Sequence, residues 1–195
     1  MMGLFGKKQK EKVTLEKQLE EFSAIGIRLN PGITINHLLL SYSREKYESE
    51  PYDLLLIMMG VETEDDDPKR ISDNVWGLDT ECINEDGDYV NIAQNMTKLA
   101  GSCLPIEEIQ DHVDFDSEVA WLSFKLDGIK YKWDLEWCGD YIDPNILEKF
   151  EKLLTKKTTA IKFHHIELGG QSCSFVCMSN DQVKALKKLI SFKIT

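Results

Sequence analysis

Polar and apolar positions alternate most sharply from Ala120 to Trp137, where A-W-L-S-F-K-L-D-G-I-K-Y-K-W-D-L-E-W reads as two strands joined at Asp127-Gly128. An Asp-Gly pair supplies the positive φ angles of a type I′ turn, and a two-residue loop fixes the pairing. Leu126 then faces Ile129, Phe124 faces Tyr131, Leu122 faces Trp133 and Ala120 faces Leu135, all on one apolar side. Trp121, Ser123, Lys125, Lys130, Lys132, Asp134 and Glu136 take the other side. A slip by a single residue would bury those lysines and carboxylates, so the register is strongly specified.

Elsewhere the apolar spacing is mostly helical. Thr14 is placed to cap a helix carrying Leu15, Leu19 and Phe22 that ends near Gly26. After Pro31-Gly32, the positions Ile33, Ile35, Leu38, Leu39 and Tyr42 predict a second helix, and Leu54 to Met59 a third. Asp88 is expected to cap a helix with Tyr89, Ile92, Ala93, Met96, Leu99 and Ala100 on one face, closed by Gly101. Asp143 as cap and Pro144 as first residue open another, striped by Ile146, Leu147, Phe150, Leu153 and Leu154. Residues 160–168 and 173–178 form a second hairpin around Gly169-Gly170-Gln171-Ser172, and the capping-box spacing of Ser179 and Gln182 precedes Val183, Leu186, Leu189 and Ile190.

The order strand-strand-helix thus occurs twice and predicts an α+β fold: an N-terminal helical segment, then a mainly antiparallel sheet of about four strands with helices on one face. The chain divides into a flexible tail (1–12), a helical segment (13–61), an acidic linker (62–71) and an α+β domain (72–195) that forms one compact unit with 13–61. All four tryptophans lie beyond the linker, which marks where the folded heart begins.

Charge narrows the range of partners. With 23 basic and 34 acidic side chains among 195 residues, the formal charge is −11, which repels nucleic acid and anionic membrane surfaces and favours basic proteins. The longest apolar run, Leu54 to Val61, is far short of the roughly 20 residues that cross a bilayer. The start, M-M-G-L-F-G-K-K, puts basic residues after a tiny apolar patch, the reverse of a secretory signal, so a cytoplasmic location is expected. Five irregularly spaced cysteines, Cys82, Cys103, Cys138, Cys173 and Cys177, read as free thiols in a reducing compartment.

Candidate chemistry is sparse. The carboxylates of D-T-E-C-I-N-E-D-G-D, from Asp79 to Asp88, invite a divalent-cation reading, but aligning Gly87 with the glycine of an EF-hand loop puts Cys82 and Ala93 where carboxylates are required. A looser set drawn from Asp79, Glu81, Asp111, Asp114 and Asp116 sustains an alternative reading as a metal-dependent hydrolase or phosphoesterase. On an extended strand Cys173 and Cys177 share a face but stand about 13 Å apart, too far for one zinc or a disulfide, and His164 and His165 point to opposite faces. Gly169-Gly170-Gln171 matches the tripeptide of class I release factors, yet an acidic chain and a hairpin position make it a turn. No cofactor, catalytic group or metal centre is expected. Trp121 stands apart, because its register sends a large aromatic to the polar side, where either the N-terminal helices cover it or a partner does.

The fragments Trp76-Gly77-Leu78-Asp79-Thr80-Glu81-Cys82-Ile83, Gly87-Asp88-Tyr89-Val90, Asp140-Tyr141-Ile142-Asp143-Pro144 and Gly170-Gln171 resemble an uncharacterised family of small acidic bacterial cytosolic proteins. Size, acidity and α+β order are also similar to those of immunity proteins that neutralise toxins. The family likeness implies a bacterial cytosolic origin, and the acidity, the analogy with immunity proteins and the outward Trp121 together give the expectation of a non-enzymatic module that binds a basic protein, with Trp121, Asp79, Glu81 and Asp86 as its contact residues.

Overall fold

A computed structural model describes residues 12–64 and 66–195. The expected tail, apart from Lys12, lies outside the described residues. Four short helices come first: α1 (Leu15–Ala24), α2 (Ile35–Ser41), α3 (Arg44–Ser49) and α4 (Asp53–Met59). Thr14 caps α1 as its hydroxyl accepts the Lys17 N–H at 3.3 Å. The run from Leu54 to Met59 is helical, as its apolar spacing predicts.

The chain is α+β with antiparallel sheets, and its described strands number seven in two sheets. The larger contains β1 (Trp76–Asp79), β5 (Lys162–Gly169), β6 (Ser172–Met178) and β7 (Lys193–Ile194) in the order β1-β6-β5-β7. The smaller contains β2 (Ile106–Asp114), β3 (Val119–Leu126) and β4 (Ile129–Leu135), in that order. Each hairpin recruits an outer strand from elsewhere in the chain, β1 pairing with β6 and β2 with β3. In β2 the alternation is broken by a bulge between Glu107 and Gln110, with Glu108 at φ 50°.

Three helices join these sheets: α5 (Asp88–Ala100), α6 (Ile146–Lys157) and α7 (Asn180–Leu189). Helices cover both faces of the larger sheet instead of one, because its inner strand β6 is apolar on both sides, with Cys173 and Phe175 on one and Val176 and Met178 on the other. Trp76, Leu78, Cys173 and Phe175 join a core with α5, α6 and the smaller sheet. Ile166, Val176, Met178 and Ile194 join a second core with α1 to α4 and α7. The central sheet is therefore a shared wall between two cores.

Two helix starts differ from expectation. Gly87, at φ 107°, is the N-cap of α5, and Asp88 is its first residue, with its carboxylate turned back to the Asn84 and Glu85 N–H groups at 2.7 and 3.0 Å. The α6 helix begins at Ile146 after an Asn145 cap. Asp143 instead closes the preceding turn by accepting the Asn145 N–H at 2.7 Å, which leaves Pro144 outside the helix. Ser179 and Gln182 do form the reciprocal cap of α7.

Candidate functional site

The hairpin of β3 and β4 has the register its alternation predicts: Leu126 opposite Ile129, Phe124 opposite Tyr131, Leu122 opposite Trp133 and Ala120 opposite Leu135. Asp127 and Gly128 take φ 51° and 76° in the turn. Leu122 and Phe124 are buried, and Phe124 stacks on Tyr131 at 5.3 Å and meets Trp133 edge-on at 4.8 Å. Ile129, at the turn, is the exception on this side, 60% exposed.

That register determines what the other face presents. Trp121 lies between His112 of β2, its Cα partner, and Lys132 of β4. The ring centroids of His112 and Trp121 are 5.9 Å apart, and the Lys132 ammonium sits 4.6 Å from the Trp121 centroid, within cation–π range. The N-terminal helices do not cover this tryptophan. They pack on the far side of the larger sheet, and the side chains flanking Trp121 come from its own sheet.

Asp86 completes this cluster from the loop before α5. Its carboxylate accepts the Val113 N–H at 2.6 Å and lies 3.2 Å from His112 Nδ1. At the same end of the sheet Phe115 and Val119 are each 45% exposed, and Phe115 meets Trp137 edge-on at 4.8 Å. Asp114, Asp116, Glu118, Asp134 and Glu136 surround them in sequence and register. The Ser117 hydroxyl donates to Asp114 at 2.6 Å and holds its carboxyl below the usual carboxylate range. Val119, two residues before Trp121 on the same side of β3, is thus exposed with acidic side chains about it in sequence and register.

Asp79 and Glu81 lie elsewhere, at a corner where the family-like fragments meet. Thr80 donates from its N–H and its hydroxyl to the Gln171 carbonyl at 3.0 and 3.1 Å, and Gln171 Nε2 donates to the Tyr141 hydroxyl at 2.6 Å. Ile142 N–H returns to the Thr80 carbonyl at 3.0 Å, and the buried Asp143 donates its N–H to the Tyr89 hydroxyl at 3.1 Å. These bonds seal one corner. Asp79 itself accepts the Glu81 N–H at 3.0 Å. The four residues expected at one contact surface thus fall in two places: Trp121 and Asp86 together, Asp79 and Glu81 at the corner.

Among the described residues, no three His, Cys, Asp or Glu side chains converge as metal ligands would. Three carboxylates of the alternative hydrolase reading are engaged with backbone: Asp79 accepts the Glu81 N–H, Asp111 those of Gly87 and Val90, and Asp114 those of Asp116 and Ser117. All five cysteines are free. Burial pushes the Cys82 and Cys173 thiols up to about 11 and the Cys177 thiol up to about 12, which keeps them protonated and poorly nucleophilic. Cys173 and Cys177 face the same core, and His164 and His165 occupy opposite sides of β5 by register.

His112, Phe115 and Val119 escape the sequence reading. Val119 had a usable signal, since carrying the odd-numbered outward positions of β3 back from Trp121 reaches it. His112 had none, because the bulge in β2 hides its pairing. Among the described residues, no helix is long and apolar enough to cross a membrane. Comparison with family models, curated proteins and solved structures finds no match to this chain.

Proposed function

We propose that this chain is a non-enzymatic protein-binding module of the immunity type, from a bacterial cytosolic protein, whose partner is a basic protein. The observation that carries the reading is Trp121, held part-exposed between His112 and Lys132 with the exposed Val119 two residues away on the same strand side. An aromatic anchor inside a polar rim is the arrangement that concentrates binding energy at protein interfaces. The rim of Asp86, Asp114, Asp116, Glu118, Asp134 and Glu136 has the sign that meets a cationic surface, and the net charge of −11 steers such a partner from a distance.

The test is titration of the purified chain against the basic product of the neighbouring reading frame, with protection from that product's toxicity as a second readout. Trp121→Ala is expected to weaken binding by about 2 kcal/mol or more while the chain stays folded. Raising salt should slow association, because rim charges act chiefly on the encounter rate. Absence of both binding and protection defeats the proposal, as does binding indifferent to Trp121→Ala.

A further inference from the structure

Four strands lie at the sheet edges, β1 and β7 in the larger sheet and β2 and β4 in the smaller. On β1 the Gly77 N–H is taken by the Gly60 carbonyl at 2.8 Å, on β2 the Val113 N–H is taken by Asp86, and β7 has only two residues. The outer edge of β4 runs for seven residues without a bulge. In a hairpin with a two-residue loop, Leu126–Ile129 is a hydrogen-bonded pair, and the pairs alternate from there. Lys130, Lys132 and Asp134 therefore turn their backbone N–H and C=O groups away from β3. The Lys149 ammonium reaches the Asp134 carbonyl at 3.2 Å, which independently confirms that direction. Among the described residues it is the only side chain hydrogen-bonded to these groups.

This edge is complementary to itself. We propose that the protein forms a two-fold dimer by antiparallel pairing of β4 with β4 of a second copy, centred on Lys132. In that register Lys130 stands opposite Asp134 of the second copy, and the reverse pair repeats it, so two opposite-charge pairs flank the axis. On the inner side Tyr131 meets Trp133 of the second copy in a non-hydrogen-bonded pair, where side chains approach most closely. The exposed Ile129 is placed opposite Leu135. The like charges at the axis are held apart, because each Lys132 lies over its own Trp121 ring. The Asp134 carbonyl has a second lone pair for the incoming Lys130 N–H while Lys149 keeps the first.

Lysines on an edge strand commonly prevent pairing with other strands. Here the same lysines leave one register attractive, that in which Lys130 finds Asp134. The outer faces of both copies then join into one six-stranded surface carrying two Trp121 clusters.

Sedimentation of the full chain over a range of concentrations tests this. A species of twice the 22.4 kDa chain mass is expected. Lys130→Asp sets like charges against each other twice and should weaken the dimer about tenfold or more; adding Asp134→Lys restores opposite charges and the dimer. Lys132→Pro removes an outward N–H without touching a hairpin bond and should give monomer. Amide exchange of the unaltered chain provides a readout independent of variant folding: Lys130, Lys132 and Asp134 should gain protection with concentration. A chain monomeric at about 1 mM, a dimer unaffected by Lys130→Asp or Lys132→Pro, or edge amides that exchange freely in the dimer overturns the proposal.

Discussion

Asp111 on β2 anchors Gly87, the residue that starts α5, although 24 positions separate them: both carboxylate oxygens accept the Gly87 N–H, at 2.8 and 3.0 Å. One of them also accepts the Val90 N–H at 3.0 Å. The first turn of a helix leaves N–H groups without intrahelical partners, and here a neighbouring strand supplies the acceptor. Asp111→Ala should therefore destabilise the fold by about 1 to 2 kcal/mol, read as a lower denaturation midpoint with unchanged slope. Asp111→Asn, which keeps an acceptor oxygen, should lose less.

Trp133 ties β4 to α6. Its ring meets Phe124 edge-on at 4.8 Å and Phe150 at 5.1 Å, with the Lys149 ammonium 5.9 Å from its centroid. Since the side chain is only partly buried, Trp133→Ala should cost about 2 to 4 kcal/mol rather than the most severe loss seen for large aromatics. An unchanged melting temperature would contradict this packing role.

Gly60 and Gly77 cross at close range. A methyl group at Gly60 would stand 2.7 Å from the Gly77 nitrogen and 3.2 Å from its Cα, so the backbone of β1 would have to move. Gly60 lies at φ −86°, a conformation alanine adopts readily, and Gly60→Ala would ordinarily stabilise the chain through its unfolded state. Steric contact outweighs that gain, and thermal unfolding should show Gly60→Ala destabilised by about 1 to 3 kcal/mol.

Burial holds the His164 and His165 imidazoles below their ordinary value of 6.5, and His164 Nε2 is buried without a hydrogen-bond partner. Between the folded and unfolded values the unfolded chain binds more protons, so stability rises with pH across that window. The contribution is complete above 6.5 and is lost as pH falls through the depressed folded values. Denaturant unfolding at about pH 7.5 and about pH 5.5 should show lower stability at the acidic end, and His164→Gln should flatten that dependence.

The amino-acid order alone determined the β3–β4 hairpin down to its register, because Asp127-Gly128 admits a narrow set of turns and a slip by one residue would bury Lys125, Lys130 and Lys132. Helix location was also local, carried by the stripes from Leu15 to Phe22, Tyr89 to Ala100 and Ile146 to Leu154. Tertiary structure decided everything that needed a distant acceptor or neighbour. It set the start of α5 at Gly87, where the Asp111 carboxylate of β2 accepts its N–H, and it divided the strands between two sheets, one of whose outer strands, β2, has its period hidden by a bulge near Glu108. It separated Asp79 and Glu81 from Trp121 and Asp86, because hydrogen bonds among Thr80, Tyr141 and Gln171 draw one segment into a corner while His112 draws the other onto an open face. Alternation along a strand says which side a residue takes; only pairing between strands says what stands beside it.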